Sequence, residues 1–511
     1  MKNNAATPIP AEEILRRRDM RDVFTFTIDP ADAKDFDDAL SFERMDEGFR
    51  IGVHIADVSF YVKPGSKEDE DAYRRGTSVY LVDRVLPMLP ERLCNNLCSL
   101  RPHEDKLCMS VIFTFSVPTD AKGLPRFAEA RVIKHKICRT VIRSDFRLNY
   151  AEALQILKGK EPVITPNQTG ETLSRENRVG INSGSTRGQL GSNSGASSNQ
   201  IEFLSGALTT LNALALQLRA ARMANGALDI EQPEMRFRLD KNNHPTEIYF
   251  EEPDEAHHLI EEFMLLANRT VARAVGSGRP FVYRVHDLPN QEKLDNLRDF
   301  TKHLGNRIPP QVLEILTIRA QAKAVYSTRN IGHYGLAFTH YTHFTSPIRR
   351  YPDLMVHRLV DKYILTGKPA AWTQQELQDI CDHCSACEQD AVQAERDSIK
   401  LFQAMFMADH LGETLPGHIS GVTDFGLFIQ LDETHCEGLV HISTIGNNGE
   451  YWQYDEKNYR LVCENHPPRR KKRNDQMVND QIVNSYTLGD PVMVKVIRVD
   501  ENRAQIDFLL V

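Results

Sequence analysis

The chain of 511 residues is long enough for about two to four domains, and 41% hydrophobic with 26% charged residues is ordinary for a soluble protein. A net charge of -8 and a pI near 6.2 argue against a general polyanion binder, although a local basic tract such as residues 469–473 can still contact nucleic acid. No N-terminal signal segment and no run of roughly 18 apolar residues is evident, so we expect a cytoplasmic protein that does not bind membranes.

An acidic segment lies between two predicted strands near the N-terminus. VFTFTI at residues 23–28 alternates aromatic with β-branched residues, as buried strands do, and FRIGVHIADVSFYV at residues 49–62 alternates similarly. Between them, DPADAKDFDD holds five carboxylates: Asp29, Asp32, Asp35, Asp37 and Asp38. An isolated acidic run is usually a solvated loop, but carboxylates confined between sheet elements repel one another unless a cation neutralises them.

The residue types in this segment narrow the choice of cation. Oxygen-only ligands favour Mg2+, Ca2+ or Mn2+ over zinc. An EF-hand loop starting at Asp35 is excluded, because Leu40 stands where glycine is required and Asp46 stands where the loop ends in glutamate. The segment therefore predicts an open acidic cluster that holds one or two Mg2+ ions against a phosphate and leaves coordination sites for water and substrate.

The middle of the chain changes from strand-like to helical patterns. LCMSVIFTFSV at residues 107–117 predicts a core strand. Residues 163–200 are rich in Gly, Ser, Asn and Thr and predict a flexible surface insertion rather than a domain boundary. Apolar residues three or four apart then predict helices at 201–224, 256–276, 347–365 and 374–411.

The 9 cysteines are an odd number without the spacing of a disulfide framework, which favours reduced thiols. The one suggestive group lies in CDHCSAC and comprises Cys381, His383, Cys384 and Cys387. Because this group sits in a helical pattern and lacks a second, distant ligand pair, we do not expect a structural zinc site there.

Two segments near the C-terminus return to strand-like alternation. Residues 412–443 and 486–508 alternate apolar and polar residues with glycines at the turns, which together predict a small antiparallel barrel. Residues 445–485 between them are polar and rich in tyrosine and charge, and are most simply a long inserted loop.

Several of these segments resemble, in order, the signatures of the RNase II/RNase R exoribonucleases, and the barrel segments GHISGVTDFGLFIQL and EGLVHIS resemble the S1 RNA-binding domain of that family. The resemblance covers about residues 16–511. The catalytic signatures are TIDPADAKDFDDAL at 27–40, HIADVSFYV at 54–62, GTSVYLVDRVLPMLPERLCNNLCSL at 76–100, HYTHFTSPIRRYPDLMVHR at 340–358 and AERD at 394–397.

The resemblance implies an α+β fold in two parts. A mixed α/β RNB catalytic domain is expected over residues 23–411, after a linker-like segment at residues 1–22. An all-β OB-fold barrel of the S1 type is expected over residues 412–511. The implied protein is a monomer that works on single-stranded RNA.

The implied activity is Mg2+-dependent hydrolysis of single-stranded RNA from its 3′ end to nucleoside 5′-monophosphates, with Mn2+ as a possible substitute metal. The family's four metal-binding aspartates match Asp29, Asp35, Asp37 and Asp38, and Asp32 is not a family site. Asp37 and Asp38 are the catalytic members of the four. Arg349 matches the arginine that grips the phosphate, and its guanidinium fork suits an array of oxygens.

The resemblance also assigns RNA-binding residues beyond the same arginine. Tyr80 matches the tyrosine that stacks on the 3′-terminal base, and Glu395 matches a glutamate that helps to position that nucleotide. In the barrel, Phe425, Phe428 and His441 occupy positions whose aromatic faces stack on RNA bases. The alternative is that at least one of these three residues belongs to the hydrophobic core of the barrel.

The sequence departs from the family pattern at its start. The family has two cold-shock domains before the catalytic domain, whereas 28 residues precede Asp29 here. Without those domains, we expect weaker and less processive RNA binding than in a full-length relative.

A second departure is Ile230, which stands where the family often has an aromatic residue opposite the terminal tyrosine. Isoleucine cannot stack on a base, so an Ile230→Phe change should lower the apparent KM for RNA by strengthening the hold on the terminal nucleotide. Steady-state kinetics on single-stranded RNA would measure this, and an unchanged KM would show that another side chain closes the clamp.

Two other functions compete with an exoribonuclease. One is a catalytically inactive RNA-binding regulator from the same family, which would be marked by loss of an aspartate from the four or of Arg349, and all five residues are present. The other is a phosphoesterase for small nucleotides, which would have no use for an OB-fold barrel.

Overall fold

The structure is a computed structural model that describes most of the chain. The described residues are 9–160, 198–229, 233–291, 321–446, 451–456, 459–463 and 485–511. Ile230, the basic tract at 469–473 and nearly all of the predicted insertion at 163–200 lie outside them.

Helices and strands alternate irregularly along the first four-fifths of the chain, and strands dominate the rest. The helices are α1 Ala11–Leu15, α2 Val58–Tyr61, α3 Lys67–Arg75, α4 Tyr150–Leu157, α5 Ser198–Ala224, α6 Glu255–Val275, α7 Tyr351–Val360 and α8 Gln374–Ala408. The strands before α8 are β1 Arg18–Asp19, β2 Thr25–Asp29, β3 Asp38–Met45, β4 Gly48–Ala56, β5 Val79–Tyr80, β6 Val85–Leu86, β7 Asp105–Ser116, β8 Arg131–Arg143, β9 Phe146–Asn149, β10 Glu234–Leu239, β11 Pro245–Glu251, β12 Tyr283–Val285 and β13 Val325–Ser327. The strands after α8 are β14 Thr414–Thr423, β15 Gly426–Leu431, β16 Glu437–His441, β17 Trp452–Asp455, β18 Arg460–Cys463, β19 Ser485–Thr487, β20 Pro491–Asp500 and β21 Gln505–Leu510.

A seven-stranded mixed sheet organises the first domain, in the order β1-β8-β7-β4-β3-β2-β9. Helices cover it through aromatic contacts. Phe203 of α5 meets Phe24 edge-on at 4.9 Å between ring centroids, and Phe263 of α6 meets Phe115 of β7 at 6.3 Å. Helix α7 lies in the interior, where all of its residues are buried. The predicted α/β character of this domain is confirmed.

Three elements begin or end at residues other than those predicted. The strand predicted over residues 49–62 ends at Ala56, because the Asp57 carboxylate accepts hydrogen bonds from the Phe60 amide and the Ser59 hydroxyl and so caps α2. The helix predicted to start near residue 347 starts at Tyr351. Helix α5 starts at Ser198, three residues before the predicted helix and inside the predicted insertion.

Helix α8 belongs to two hydrophobic cores. Its first half contributes Leu377, Cys381 and Cys384 to the core of the first domain. Its last turns contribute Ala404 and Met407 to the core of the barrel. The two domains are therefore joined by a continuous helix rather than by a loop.

Helix α5 is the one described helix long and apolar enough, by length and composition, to cross a membrane. Such a helix is weak evidence for a membrane span, because core helices of soluble proteins have the same composition. Here Leu204, Leu208, Leu211 and Leu214 are fully buried in the first core, which accounts for part of the apolar character of the helix.

The C-terminal domain is a closed five-stranded barrel in the order β14-β15-β16-β21-β20, which confirms the predicted OB-type fold. The prediction of a purely antiparallel barrel was wrong, because β16 and β21 close it as a parallel pair. The inserted segment at 445–485 was also not a simple loop. Its described parts form an antiparallel sheet of β17, β18 and β19, with Trp452 and Leu461 buried against the barrel core.

Candidate active site and RNA-binding surface

Four aspartates gather at one edge of the seven-stranded sheet. Asp29 ends β2, Asp38 begins β3, and the connecting segment carries Asp35 and Asp37. Because β2 and β3 are antiparallel neighbours, the chain must reverse here and return the carboxylates to the same edge. Asp32, in the same segment, is exposed. We call residues 29–38 the acidic loop.

Backbone contacts hold the second half of the acidic loop against the domain. The Ser99 hydroxyl accepts a hydrogen bond from the Phe36 amide at 3.0 Å and donates one to the Lys34 carbonyl at 2.7 Å. The Leu100 amide donates to the Phe36 carbonyl at 3.0 Å. These bonds fix the backbone on both sides of Asp35, so its carboxylate does not depend on a flexible turn.

Burial is the main influence on the ionisation of the cluster. It raises the pKa of Asp37 well above the usual value, and at Asp29 burial and the nearby Asp38 carboxylate act in the same direction. Burial raises the pKa of Asp38 to about 7, against the opposing effect of Arg349. The pKa of Asp35 is also raised by burial. Full ionisation of such a cluster needs compensating positive charge.

Arg349 supplies part of that charge from the segment that precedes α7. Its Nε lies 3.6 Å from Asp37 Oδ2, and the neighbouring Ile348 amide donates to Asp37 Oδ1 at 2.9 Å. The side chain of Arg349 is 42% exposed whereas that of Asp37 is 6% exposed. The arginine can therefore hold the buried carboxylate and still reach a phosphate that arrives from solvent.

A buried ion pair fixes the turn that carries Arg349. Asp353 is fully buried, and its Oδ1 accepts from the Ser346 amide and from Arg350 Nη2, both at 2.8 Å. The Ser346 hydroxyl in turn accepts from Arg349 Nη2 at 3.0 Å. Sequence reasoning did not single out Asp353 or Ser99. Both residues stand inside signature segments quoted above, Asp353 in residues 340–358 and Ser99 in residues 76–100, and these segments were the available signal.

The cluster fits a hard divalent cation. Asp29 Oδ2 is buried and, among the described residues, lacks a hydrogen-bond partner, so an acceptor oxygen is left for a ligand. The donor set consists of carboxylate oxygens, which Mg2+ and Mn2+ prefer. In the described part of the chain, however, no three acidic, histidine or cysteine side chains are grouped closely enough to hold a metal ion as they stand. The predicted metal residues thus remain a prediction, which the chemistry of the donor oxygens favours.

Tyr80 lies close to the same arginine segment. The Ser78 amide and the Thr77 hydroxyl both donate to the Arg349 carbonyl, at 2.9 and 3.0 Å. Tyr80, two residues on, is 39% exposed, and burial together with Asp35 raises its pKa to about 12, against the effect of Arg349. An exposed ring beside the acidic loop is suited to stack on a base.

Glu395 lies in the middle of α8, next to the β10–β11 hairpin. Burial and the nearby Glu234 raise its pKa, and Arg236 opposes them. One turn further along α8, the Ser398 hydroxyl accepts from the Val82 amide at 3.1 Å, in the segment that follows Tyr80. The structure therefore brings the helix turn of Glu395 to the tyrosine segment, while the carboxylate itself faces the hairpin.

The three predicted barrel residues lie around the turn between β14 and β15. Phe425 and Phe428 meet edge-on with ring centroids 5.9 Å apart, and His441 pairs with Gly426 across β15 and β16. None of the three is buried: Phe425 and His441 are exposed and Phe428 is partly exposed. The alternative that one of them belongs to the core is therefore excluded by the structure.

Phe425 offers a clear test of this surface. Phe425→Ala should weaken binding of single-stranded RNA about 10-fold, because a base stacked on an aromatic ring contributes roughly 1 to 3 kcal/mol. The ring is 45% exposed, so its loss should leave the melting temperature unchanged. Fluorescence anisotropy with labelled RNA would measure the affinity. Met493→Ala, at a barrel position that is also 45% exposed, is the matched control, and equal weakening in both variants would contradict a stacking role.

The cysteine and histidine side chains of CDHCSAC, in α8, contact the hydrophobic core and α3. Cys381 and Cys384 are buried in the first core. His383 Nε2 donates to the Tyr73 carbonyl at 2.7 Å, and Cys387 Sγ lies 3.4 Å from the same nitrogen. This nitrogen is already used by a backbone carbonyl, and the group packs α8 against the end of α3.

An acidic, arginine-bordered loop in a mixed α/β domain, joined by a helix to an OB-fold barrel, is the arrangement of enzymes that act on nucleic-acid phosphates. Residues 17–366 match the RNB domain and residues 409–510 match the S1 RNA binding domain. The chain therefore belongs to the RNB family of RNase R-like proteins, as the sequence motifs predicted.

Individual relatives agree with this assignment. The chain is 37% identical to Ribonuclease R of Aquifex aeolicus, with 98% of this chain and 66% of the relative covered. The structure of Mycoplasma genitalium RNase R in complex with ribose methylated single-stranded RNA superposes with a TM-score of 0.79 at 26% identity, over 99% of this chain and 74% of that chain. Yeast Ssd1, described as a pseudonuclease, shares the fold with a TM-score of 0.63 at 19% identity, over 90% of this chain and 54% of that chain.

Proposed function

We propose that the protein is a Mg2+-dependent exoribonuclease that shortens single-stranded RNA from the 3′ end and releases nucleoside 5′-monophosphates. The observation that carries the proposal is Asp37, a buried carboxylate held by the Ile348 amide on one oxygen and bordered by half-exposed Arg349 on the other. The RNase R relatives support the reaction class, although the chain spans 66% of the length of the Aquifex aeolicus relative.

The aspartates of the acidic loop and the neighbouring Arg349 would have different roles in the reaction. Asp29, Asp35, Asp37 and Asp38 would hold the metal, which when bound would lower the pKa of a water molecule and offset the charge that builds on the phosphoryl oxygens. Arg349 holds Asp37 in place and offers its guanidinium to the phosphate. Burial raises the pKa of Asp38 to about 7, and a cation bound beside it would lower that pKa and keep the carboxylate ionised as a ligand.

RNA would be held near the middle of α8 and on the barrel that follows its C-terminal end. Tyr80 stacks on the 3′-terminal base beside the acidic loop, Glu395 helps to orient the terminal nucleotide, and the barrel residues Phe425 and Phe428 stack on bases upstream. Stacking does not depend on base identity, which suits an enzyme that removes every nucleotide in turn. We place this activity in cytoplasmic RNA turnover and expect the protein to act as a monomer.

The experiment is a time course on a 5′-labelled single-stranded oligoribonucleotide with Mg2+, with EDTA and a DNA version as controls. We expect a ladder that shortens from the 3′ end, 5′-mononucleotide products, and no reaction in either control. Internal fragments at early times would contradict an exonuclease. Full activity in EDTA would contradict the metal dependence.

A binding-only protein is the second candidate, because Ssd1 shows that this fold also exists in a pseudonuclease. The distinction lies in the acidic loop, where Asp29, Asp35, Asp37 and Asp38 are all present beside Arg349. RNA that is bound but never shortened, in the presence of Mg2+ or Mn2+, would favour the binding protein and reject the exonuclease.

A further inference from the structure

Arg147 reaches the acidic loop from the strand beside β2. Strand β9 pairs in parallel with β2, so that Arg147 lies opposite Thr27 and Asn149 lies opposite Asp29. Since side chains alternate along a strand, the position of Arg147 next to the end of β2 is set by sheet register rather than by a flexible loop.

The contacts of Arg147 fall on both sides of the first turn of the acidic loop. Its Nη2 donates to the Pro30 carbonyl at 2.9 Å and to the Ala31 carbonyl at 2.7 Å, directly after Asp29. The guanidinium carbon also lies 5.4 Å from the centroid of the Phe36 ring, directly before Asp37. One side chain thus joins the beginning of the loop to its end.

The rest of the loop is held by other groups. Ser99 fixes the backbone at Lys34 and Phe36, and the segment of Arg349 fixes Asp37. Between Asp29 and Lys34, the side-chain contacts described for the loop backbone are those of Arg147. Sheet pairing with Asn149 fixes Asp29 itself, and the path of the loop from Asp29 towards the other carboxylates depends on this arginine.

We propose that Arg147 is a positioning residue of the active site, which sets Asp29 against Asp37 by clamping the loop between them. The inference rests on the proposed metal-dependent exonuclease and goes beyond its assigned residues. The described contacts of Arg147 are two backbone carbonyls and one ring of the same loop, and its positive charge opposes the rise in the pKa of Asp29, so its partners all belong to the acidic loop.

The kinetic test compares Arg147→Met and Arg147→Lys with wild type on single-stranded RNA. Methionine keeps the length of the side chain but donates no hydrogen bond, so kcat should fall about 10-fold, while KM for RNA stays within about twofold. Lysine keeps the charge and can donate to one or both carbonyls, so the kcat of Arg147→Lys should lie between those of wild type and Arg147→Met. A rise in KM at unchanged kcat would instead make Arg147 an RNA contact and overturn the proposal.

A second measurement does not use activity. Mn2+ binding to the full chain, followed by electron paramagnetic resonance of the free ion, should be about 10-fold weaker in Arg147→Met, because the carboxylates are no longer held in position. Simple removal of a positive charge beside carboxylates would have the opposite effect and tighten cation binding. Tighter Mn2+ binding with unchanged kcat would therefore refute a positioning role.

Arg279 provides the matched control. It also donates to a backbone carbonyl, that of Tyr363, and lies over the ring of the same residue at 5.2 Å, away from the acidic loop. Arg279→Met should leave kcat and Mn2+ affinity unchanged. If wild type binds Mn2+ but does not shorten RNA, the exonuclease is rejected, and weaker Mn2+ binding in Arg147→Met would still support the clamp. If wild type binds no Mn2+, both proposals fall.

Discussion

Asp37→Asn should abolish RNA shortening, with a loss of at least about 1000-fold in kcat, and should leave RNA binding intact. The amide keeps an acceptor oxygen for the Ile348 amide, so the local backbone should not move. It removes the negative charge that we propose as a metal ligand and that pairs with Arg349, and a neutral amide oxygen cannot replace that charge. Product analysis and RNA anisotropy on the same preparation would separate the two effects.

The same variant has an expected effect on stability. Burial raises the pKa of Asp37 above its usual value of 3.8, so the carboxyl stabilises the fold below about pH 3.8 and this contribution is lost as pH rises through the folded-state pKa. At pH 7 the neutral amide should therefore give a melting temperature equal to or above that of wild type. Asp32→Asn, in the same loop but exposed, is the control and should change neither activity nor stability. A similar loss of activity in both variants would contradict a specific role for Asp37.

Arg349→Lys should reduce kcat about 100-fold, which is the size of effect seen when one donor to a developing charge is lost. Arg349 contacts Asp37 through Nε and the Ser346 hydroxyl through Nη2, and a third nitrogen is left for the phosphate. Lysine keeps the positive charge, but its single side-chain nitrogen cannot make all of these contacts at once. The side chain is 42% exposed, so folding should be unaffected. Single-turnover kinetics at saturating RNA would report the chemical step.

The control for this substitution is Arg74→Lys, at an exposed ion pair with Asp71 on α3. Exposed pairs contribute little, and we expect wild-type kinetics from it. If Arg349→Lys changes KM without lowering the single-turnover rate, Arg349 would be a ground-state phosphate contact with no part in the chemical step.

Sequence patterns predicted the elements whose burial repeats regularly along the chain. The alternation in VFTFTI and LCMSVIFTFSV identified β2 and β7, and the three-to-four spacing identified α5, α6 and α8. The acidic loop was recognisable because five carboxylates directly after a buried strand repel one another and destabilise the fold unless positive charge neutralises them. Sheet pairing then explains why the four aspartates meet, which alternation alone does not specify.

The structural features that the sequence patterns did not predict depend on contacts between segments far apart in the chain. Ser99 holds the acidic loop from 63 and 65 residues further along the chain, and Arg147 from 116 and 117 residues. Arg147 lies in no quoted motif, and the signature that contains Ser99 does not indicate this contact. The parallel closure of the barrel by β16 and β21 and the inserted β17–β19 sheet are likewise properties of pairing partners. Short strands with irregular polarity offer little local signal for such pairings.

Because both cores include residues of α8, this helix sets both the distance and the rotation between the two domains. Of its residues, none between Ser385 and Phe402 is buried, and contacts such as that of Ser398 with the Val82 amide are few there, so the two cores at either end hold the helix most firmly. One residue inserted in this stretch would lengthen the path from the acidic loop to the barrel by about 1.5 Å and also turn the barrel by about 100°. The stacking face would then point away from the RNA long before its distance became limiting. The spacing between the two RNA-binding surfaces can therefore change easily only in steps close to whole helical turns.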